Sequence, residues 1–388
     1  MENRRLIFSL LLGLSALLAS CQMPSSSSVS FGTVPGCDSN GKSDLKNPHC
    51  NPSPSPSQSL NVSAASEIIP VGWNYIFDSQ NNLYSQAPPQ AGGAPGGLLK
   101  TSPAGATSTY FAGQWLSLIA KDSSDNIYVM IDSNADFAEN GSDAGGIAIQ
   151  KLSPNGATSV FCNSAACTSL EVTQGVGQGQ GVVDSHGNLF VPVVFWNNQG
   201  SNNYAWTEIA KITPSGGYSI FTGNTVSPGG NECLDGNTGT ATLAGPTQMT
   251  IDASDNIYVL DIGIDKTVCN SIREITPTGT VSTLHSFGSV NVFGLTRDAS
   301  GNFYYFKEPG VQGYSISKLS PSGTETPYCG GGAWVGDESP VGPCSSSFIT
   351  QIVGTLQFDA SGDLFFLLNW SGNPINLPYY QFFAVTSK

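Results

Sequence analysis

Six copies of one short hairpin code constrain this chain more than any other feature. They read Asp78-Ser-Gln-Asn-Asn82, Asp122-Ser-Ser-Asp-Asn126, Asp184-Ser-His-Gly-Asn188, Asp252-Ala-Ser-Asp-Asn256, Asp298-Ala-Ser-Gly-Asn302 and Asp359-Ala-Ser-Gly-Asp363. Each stands between two short apolar runs, the pattern of a β-hairpin. The aspartate can accept backbone N–H groups two residues on. The fourth position, where the turn needs φ > 0, is always Asn, Asp or Gly (Asn81, Asp125, Gly187, Asp255, Gly301, Gly362), the types that tolerate it best. A second turn, Ser/Thr-Pro-x-Gly, follows five of the six at Pro103, Pro154, Pro214, Pro277 and Pro321. There proline presets φ and glycine closes the turn.

Residues 235–286 give the unit in full. The runs at 249–251, 257–260, 272–275 and 281–284 predict a four-stranded antiparallel meander, with strands a, b, c and d. Strand b (Ile257, Tyr258, Val259, Leu260) is apolar at consecutive positions, which suits a sheet packed on both faces, as in a propeller blade between two neighbours. The unit, with Gly245-Pro246 before strand a, the Asp-x-x-x-Asn-Ile-Tyr-Val hairpin and Ile272-Arg273-Glu274-Ile275-Thr-Pro-x-Gly, resembles the NHL-repeat family of β-propellers. The resemblance covers roughly residues 70–388. It implies an all-β, six-bladed propeller of four-stranded antiparallel blades and no particular activity, because one fold hosts many functions.

The ends of the chain read differently. Arg4 and Arg5 precede an apolar stretch at 6–18, too short to span a bilayer, which takes ~20 residues. Leu18-Ala19-Ser20-Cys21 resembles the bacterial lipoprotein cleavage box, in which the cysteine receives the lipid. Residues 1–20 are therefore expected to be a lipoprotein signal peptide. The lipid on Cys21 would be the protein's one contact with a membrane. Gln22 is not aspartate, the family's usual inner-membrane retention mark. The expected address is extracytoplasmic, at the outer membrane if there are two membranes, or at the cell surface. Residues 21–59, with Pro52-Ser-Pro-Ser-Pro-Ser57, lack the apolar surface to offset ordering entropy and read as a tether. Residues 60–388 are expected to form one propeller and act as a monomer. The last blade has strands a, b and c, at 355–358, 364–368 and 380–385, and no strand d. Residues 60–69 are apolar enough to pair outside 380–385 and clip the ring shut.

In such a blade the a–b and c–d turns share one rim, and the b–c loops and d–a links share the other. All turns of the first kind are tight. The long insertions (130–146, 196–206, 369–378; 162–178, 222–244, 329–350) fall in the second kind, so one rim is plain and the other elaborated. Binding surfaces favour elaborated loops. Without Cys21, eight cysteines remain, an even number for an exported protein. Location suggests Cys37 with Cys50 in the tether, Cys162 with Cys167, Cys329 with Cys344, and Cys233 with Cys269 stapling two long loops. No paired C-x-x-C spacing supports a metal site instead.

Composition excludes some classes. Fourteen basic residues against twenty-eight acidic ones, a net charge of −14, argue against nucleic-acid binding. The Gly175–Gly181 run precedes a strand with no helix after it, which defeats a dinucleotide reading. Candidate sites remain on the elaborated rim. Trp196, Tyr204 and Trp206, flanked by Asn197, Asn198, Asn202 and Asn203, join Trp334 and Trp370. Such rings and amides can hold a protein, peptide or glycan partner; the plainer reading is that the rings pack loops onto the propeller. Asp132, Asn134, Asp136 and Asp143 have the offsets of a calcium loop. Phe137 replaces the turn glycine, so a solvated acidic loop is the stronger reading, with no cofactor expected. The register four residues before each turn aspartate holds Asn74, Leu118, Gln180, Gln248, Gly294 and Thr355, near the mouth of the central channel. Gluconolactonase-like propeller hydrolases and lyases hold a divalent metal there on carboxylates and amides. Amides are present here and carboxylates are not. No catalytic residue is assigned, and a binding module is the first reading.

Overall fold

The computed structural model describes residues 61–64, 74–87, 96–112, 115–132, 147–162, 181–197, 204–223, 233–262, 269–308, 313–331, 342–345, 347, 349, 352–370 and 379–386. The signal segment, Cys21 and the tether with Cys37 and Cys50 lie outside the described residues.

Strand β1 (Asn61–Ala64) precedes the first blade. Blade one is β2 (Tyr75–Phe77), β3 (Leu83–Gln86), β4 (Leu98–Thr101) and β5 (Thr107–Phe111). Blade two is β6 (Trp115–Lys121), β7 (Ile127–Asp132), β8 (Ile147–Leu152) and β9 (Thr158–Cys162). Blade three is β10 (Val182–Val183), β11 (Leu189–Asn197), β12 (Tyr204–Ile212) and β13 (Tyr218–Thr222). Blade four is β14 (Pro246–Ile251), β15 (Ile257–Ile262), β16 (Asn270–Ile275) and β17 (Val281–Ser286). Blade five is β18 (Asn291–Arg297), β19 (Phe303–Glu308), β20 (Ser315–Leu319) and β21 (Glu325–Gly330). A short β22 (Gly342–Pro343) leads to blade six: β23 (Ile352–Phe358), β24 (Leu364–Trp370) and β25 (Tyr379–Thr386). Every blade is an antiparallel meander in chain order, and the innermost strands neighbour one another around a closed ring from β2 to β23 and back. The chain is a six-bladed β-propeller.

The turn aspartates explain why the hairpins form where they do. Asp78 Oδ1 accepts the N–H groups of Gln80 at 2.9 Å and Asn82 at 2.8 Å, and its Oδ2 accepts Asn82 Nδ2 at 2.8 Å. Asp122, Asp184 and Asp252 repeat the pattern, and Asp359 keeps its backbone part. Asp298 repeats it through Asn302. The fourth position has φ of 62° at Asn81, 61° at Asp125, 79° at Gly187, 62° at Asp255, 85° at Gly301 and 84° at Gly362. Where that residue carries a side chain, the side chain also ties the turn to the preceding blade. Asp125 accepts Ser79 N at 3.0 Å and Asp255 accepts Ser185 N at 2.8 Å. Asn81 Oδ1 accepts Ala360 N at 2.7 Å across the ring closure. Glycine at the other three positions cannot make this bond.

Blade faces pack through apolar layers. In β15, Ile257, Val259 and Leu260 are all buried, and each contributes about 1.5–3 kcal/mol of apolar burial. A bulge interrupts the c–d pairing at one equivalent residue in each of the first five blades: Leu98, Ile149, Ile209, Ile272 and Ile316. All five are 0% exposed. Such a bulge increases strand twist, which a radial sheet needs.

Closure goes beyond the expected strand. β1 pairs antiparallel with β25 (Val62 with Val385), and β22 pairs with β1 on its other side (Asn61 with Pro343). The order is β22-β1-β25-β24-β23, so the clip is an interior strand and not an edge. The Cys329–Cys344 disulfide, with Cα atoms 4.5 Å apart, fixes β22 to the end of β21. Two expectations are corrected. The 196–206 insertion begins and ends as strand: β11 runs on to Asn197 and β12 starts at Tyr204, with residues 198–203 outside the described residues. The link into blade four is not confined to the elaborated rim. Gly236 bridges Val281 at the plain-rim end of β17, and Thr280 Oγ1 donates to Asn237 Oδ1 at 3.0 Å. Ala241 and Leu243 then pack with Phe190 and Ile257 between blades three and four. Sequence spacing could not show this descent, because it depends on a groove made by two distant blades.

The disulfide closes a separation of 15 residues, so Cys329→Ser with Cys344→Ser should cost about 3 kcal/mol. Urea titration of the oxidised parent and the double variant checks it.

Candidate functional site

The best-built part of the elaborated rim is in blade four. Asp261, near the end of β15, is fully buried, and so is Arg273 of β16. Asp261 Oδ1 accepts the N–H groups of Ala244 at 3.0 Å and Gly245 at 2.7 Å, and its Oδ2 accepts Arg273 Nη1 at 3.2 Å. Gly245 has to be glycine, because a Cβ there would stand 2.3 Å from the Ile262 carbonyl oxygen. Arg273 Nη2 donates to the Leu234 carbonyl at 3.1 Å and to Asp235 Oδ1 at 2.9 Å. Burial pushes the Asp261 carboxyl above the usual range, against the pull of the two N–H groups and Arg273. One guanidinium thus organises both arms of the 233–245 link.

The Cys233–Cys269 disulfide sits on this centre and staples the link to the start of β16. Cys233, Asp261 and Cys269 bring two sulfurs and a carboxylate within 4.8 Å of one another, a donor set that raises a metal. It does not fit one while the sulfurs are bonded to each other, since metals take thiolates. Asp261 is also already committed to a cation. The role supported here is rigidity.

Blade three contributes a different feature. Glu208 of β12 is 0% exposed, and neither carboxylate oxygen has a hydrogen-bond partner. It is opposite Val193 and on the same strand face as Ala210 and Ile212, which pack against blade two. Burial raises its pKa to about 6. No sequence signal marked Glu208, because a lone glutamate in a strand reads as solvent-facing.

The sequence-derived candidates fall as follows. Trp196 and Trp206 are strand positions opposite Ala205 and Phe195, and Tyr204 is opposite Asn197. Consecutive strand positions alternate between faces, so the register puts positions 196 and 206 on opposite faces of the β11–β12 hairpin. Trp370 ends β24 opposite Tyr379. Trp334, Gln180, Cys167, Asn134, Asp136 and Asp143 lie outside the described residues, and Asp132 ends β7. Cys162 is disulfide-bonded; its partner lies outside the described residues. Two channel-register amides are structural struts. Gln248 Oε1 accepts Leu295 N of the next blade at 2.7 Å, and Asn74 Nδ2 donates to the Leu118 carbonyl at 3.3 Å. Asn74 Oδ1 and Thr355 Oγ1 are buried without partners.

No protein-family model matches the chain, and no curated protein matches it. Solved structures do. A protein of unknown function from Bacteroides thetaiotaomicron aligns with a TM-score of 0.50 at 14% identity, over 84% of this chain and 76% of its own. A luciferin-regenerating enzyme aligns at 0.48 and 14%, over 84% and 95% of the two chains. A gluconolactonase-like protein aligns at 0.46 and 10%, over 84% and 91%. At such identities the likeness concerns the fold alone.

Two predictions test this rim. Arg273→Met strands a buried carboxylate and should cost about 3–5 kcal/mol. Adding Asp261→Asn should recover part of that loss, as a double-mutant cycle in urea would show. The folded Glu208 pKa lies above its usual value of 4.5, so its contribution to stability is complete below pH 4.5 and lost as pH rises through about 6. Glu208→Gln should therefore be more stable than the parent at pH 7.5, by up to about 2 kcal/mol, with the gap closing at pH 4.5.

Proposed function

We propose that this chain is an extracytoplasmic NHL-repeat propeller, lipid-anchored at Cys21, that serves as a binding module for a protein, peptide or glycan partner in the cell envelope. The elaborated rim is the contact surface. One observation carries the reading: the two rims treat their polar groups differently. On the plain rim the first aspartate of each turn bonds within its own hairpin, as at Asp78 and Asp252. On the other rim the connections are held by the Cys233–Cys269 and Cys329–Cys344 disulfides and by a buried Asp261–Arg273 pair. Loops fixed in advance lose less entropy on binding. The β11–β12 hairpin, carrying Trp196, Tyr204 and Trp206, extends from the same rim.

A gluconolactonase-like propeller hydrolase or lyase with a divalent metal at the channel mouth is the competing reading. It is the weaker one because Gln248 directs its side-chain oxygen, the atom a cation would need, to Leu295 N.

The test is capture from envelope extract by the full-length protein beside its Trp196→Ala/Trp206→Ala variant. A partner retained by the parent and reduced at least tenfold in the folded variant supports the reading. Equal recovery by both defeats it.

A further inference from the structure

Blade three departs from blades one and two at two positions that face one cleft on the plain rim. In blades one, two, four and five the strand-b residue six after the turn aspartate is tyrosine. Tyr84, Tyr128, Tyr258 and Tyr304 donate their hydroxyls to Asp78, Asp122, Asp252 and Asp298 at 3.2, 3.1, 3.0 and 3.0 Å. Blade three has Phe190 there. Asp184 Oδ2 therefore receives one hydrogen bond among the described residues, from Asn188 Nδ2 at 2.7 Å.

The second departure is opposite, on strand c. Lys100 and Lys151 pair with the tyrosines in register, and their ammonium groups lie 3.6 Å from Asp78 and 3.1 Å from Asp122. Lys211 has the same register against Phe190. Among the described residues it enters no ion pair and no hydrogen bond. Its Nζ stands 5.5 Å from the Phe190 ring centre and 6.0 Å from that of Phe221. Between blades three and four these groups border a cleft of about 300 Å³, which Asp184, His186, Asn188, Lys211, Phe221 and Pro277 help to line. Asp255 also borders it, but its carboxylate already accepts Ser185 N and Oγ at 2.8 and 2.6 Å.

We propose that this cleft binds a neutral saccharide of one or two rings, held by a vicinal diol between Lys211 and Asp184. A hydroxyl both accepts and donates. One diol oxygen can accept from the Lys211 ammonium while the diol donates to Asp184 Oδ2, and charge-assisted bonds of this kind are the strong ones. Phe221 and Pro277 offer apolar surface to the C–H face of the ring. The volume matches the small end of ligand pockets, which begin at roughly 300 Å³. An acidic sugar would satisfy Lys211 but meet Asp184, Asp255 and a chain of net charge −14. An amine would meet Lys211. The site is separate from the partner-binding rim and does not use Trp196 or Trp206.

Saturation-transfer NMR on the full-length protein, with maltose, cellobiose and N-acetylglucosamine as probes and galacturonate as the charged control, tests it. At least one neutral sugar should show transfer, and galacturonate should bind more weakly. Phe190→Tyr returns the phenol to Asp184 as in blades one, two, four and five, so it should fold and still lower affinity at least tenfold. Lys211→Met should do the same. Trp196→Ala/Trp206→Ala should leave sugar binding unchanged even if it abolishes partner capture. The proposal is overturned if no neutral probe binds, if binding survives either blade-three substitution, or if galacturonate binds best.

Discussion

The structure depends on a carboxylate folded back onto its own turn. An aspartate that accepts two backbone N–H groups and a neighbouring amide fixes the a–b hairpin from within its own five residues. Its net charge is held in place by those donors. Burial alone would push the Asp122 carboxyl up, yet the Asn126 bonds and Lys151 leave it below the usual carboxylate range. Asp252 and Asp298 are lowered in the same way, by Asn256 and Asn302 acting against burial. The same five-residue segment also sets an αL residue, and in three turns that residue's side chain reaches the preceding blade. Local turn chemistry and ring assembly are thus one device.

Around that device the protein repeats an aromatic arrangement the hairpin code did not reveal. The strand-b aromatic meets a strand-d aromatic edge-on, as in Tyr84 with Tyr110, Tyr128 with Phe161, Phe190 with Phe221 and Tyr304 with Tyr328, at centroid separations of 4.8–5.0 Å. A strand-c lysine lies over the strand-b ring in each of those blades. Blade four substitutes Glu274 for the lysine, and Arg297 of blade five covers Tyr258 instead, at 5.2 Å. In blade four the ring is thus covered by a cation from the next blade. Departures such as Phe190 become informative only against this background.

The elaborated rim follows a different economy. Its buried Asp261–Arg273 pair is weak evidence for stability, since desolvation offsets much of the attraction. Its value is in geometry, because the fork of Arg273 can be satisfied only when residues 234, 235 and 242 are all in place. Glu208 is the opposite case, a buried carboxylate that nothing satisfies.

By itself the sequence determined the six hairpins, the turn residues with positive φ, the need for a closing strand and the rim on which the long connections begin. These are local properties: turn geometry is decided within five residues, and apolar runs report their own burial. It could not determine that β1 would be gripped on both sides, that residues 233–245 would descend between two blades, or that Glu208 would lose every partner. Nor could it show that Trp196 and Trp206 are strand positions, paired with Ala205 and Phe195. Each of those outcomes depends on what a distant segment places nearby once the ring closes, and only the tertiary structure brings those segments together.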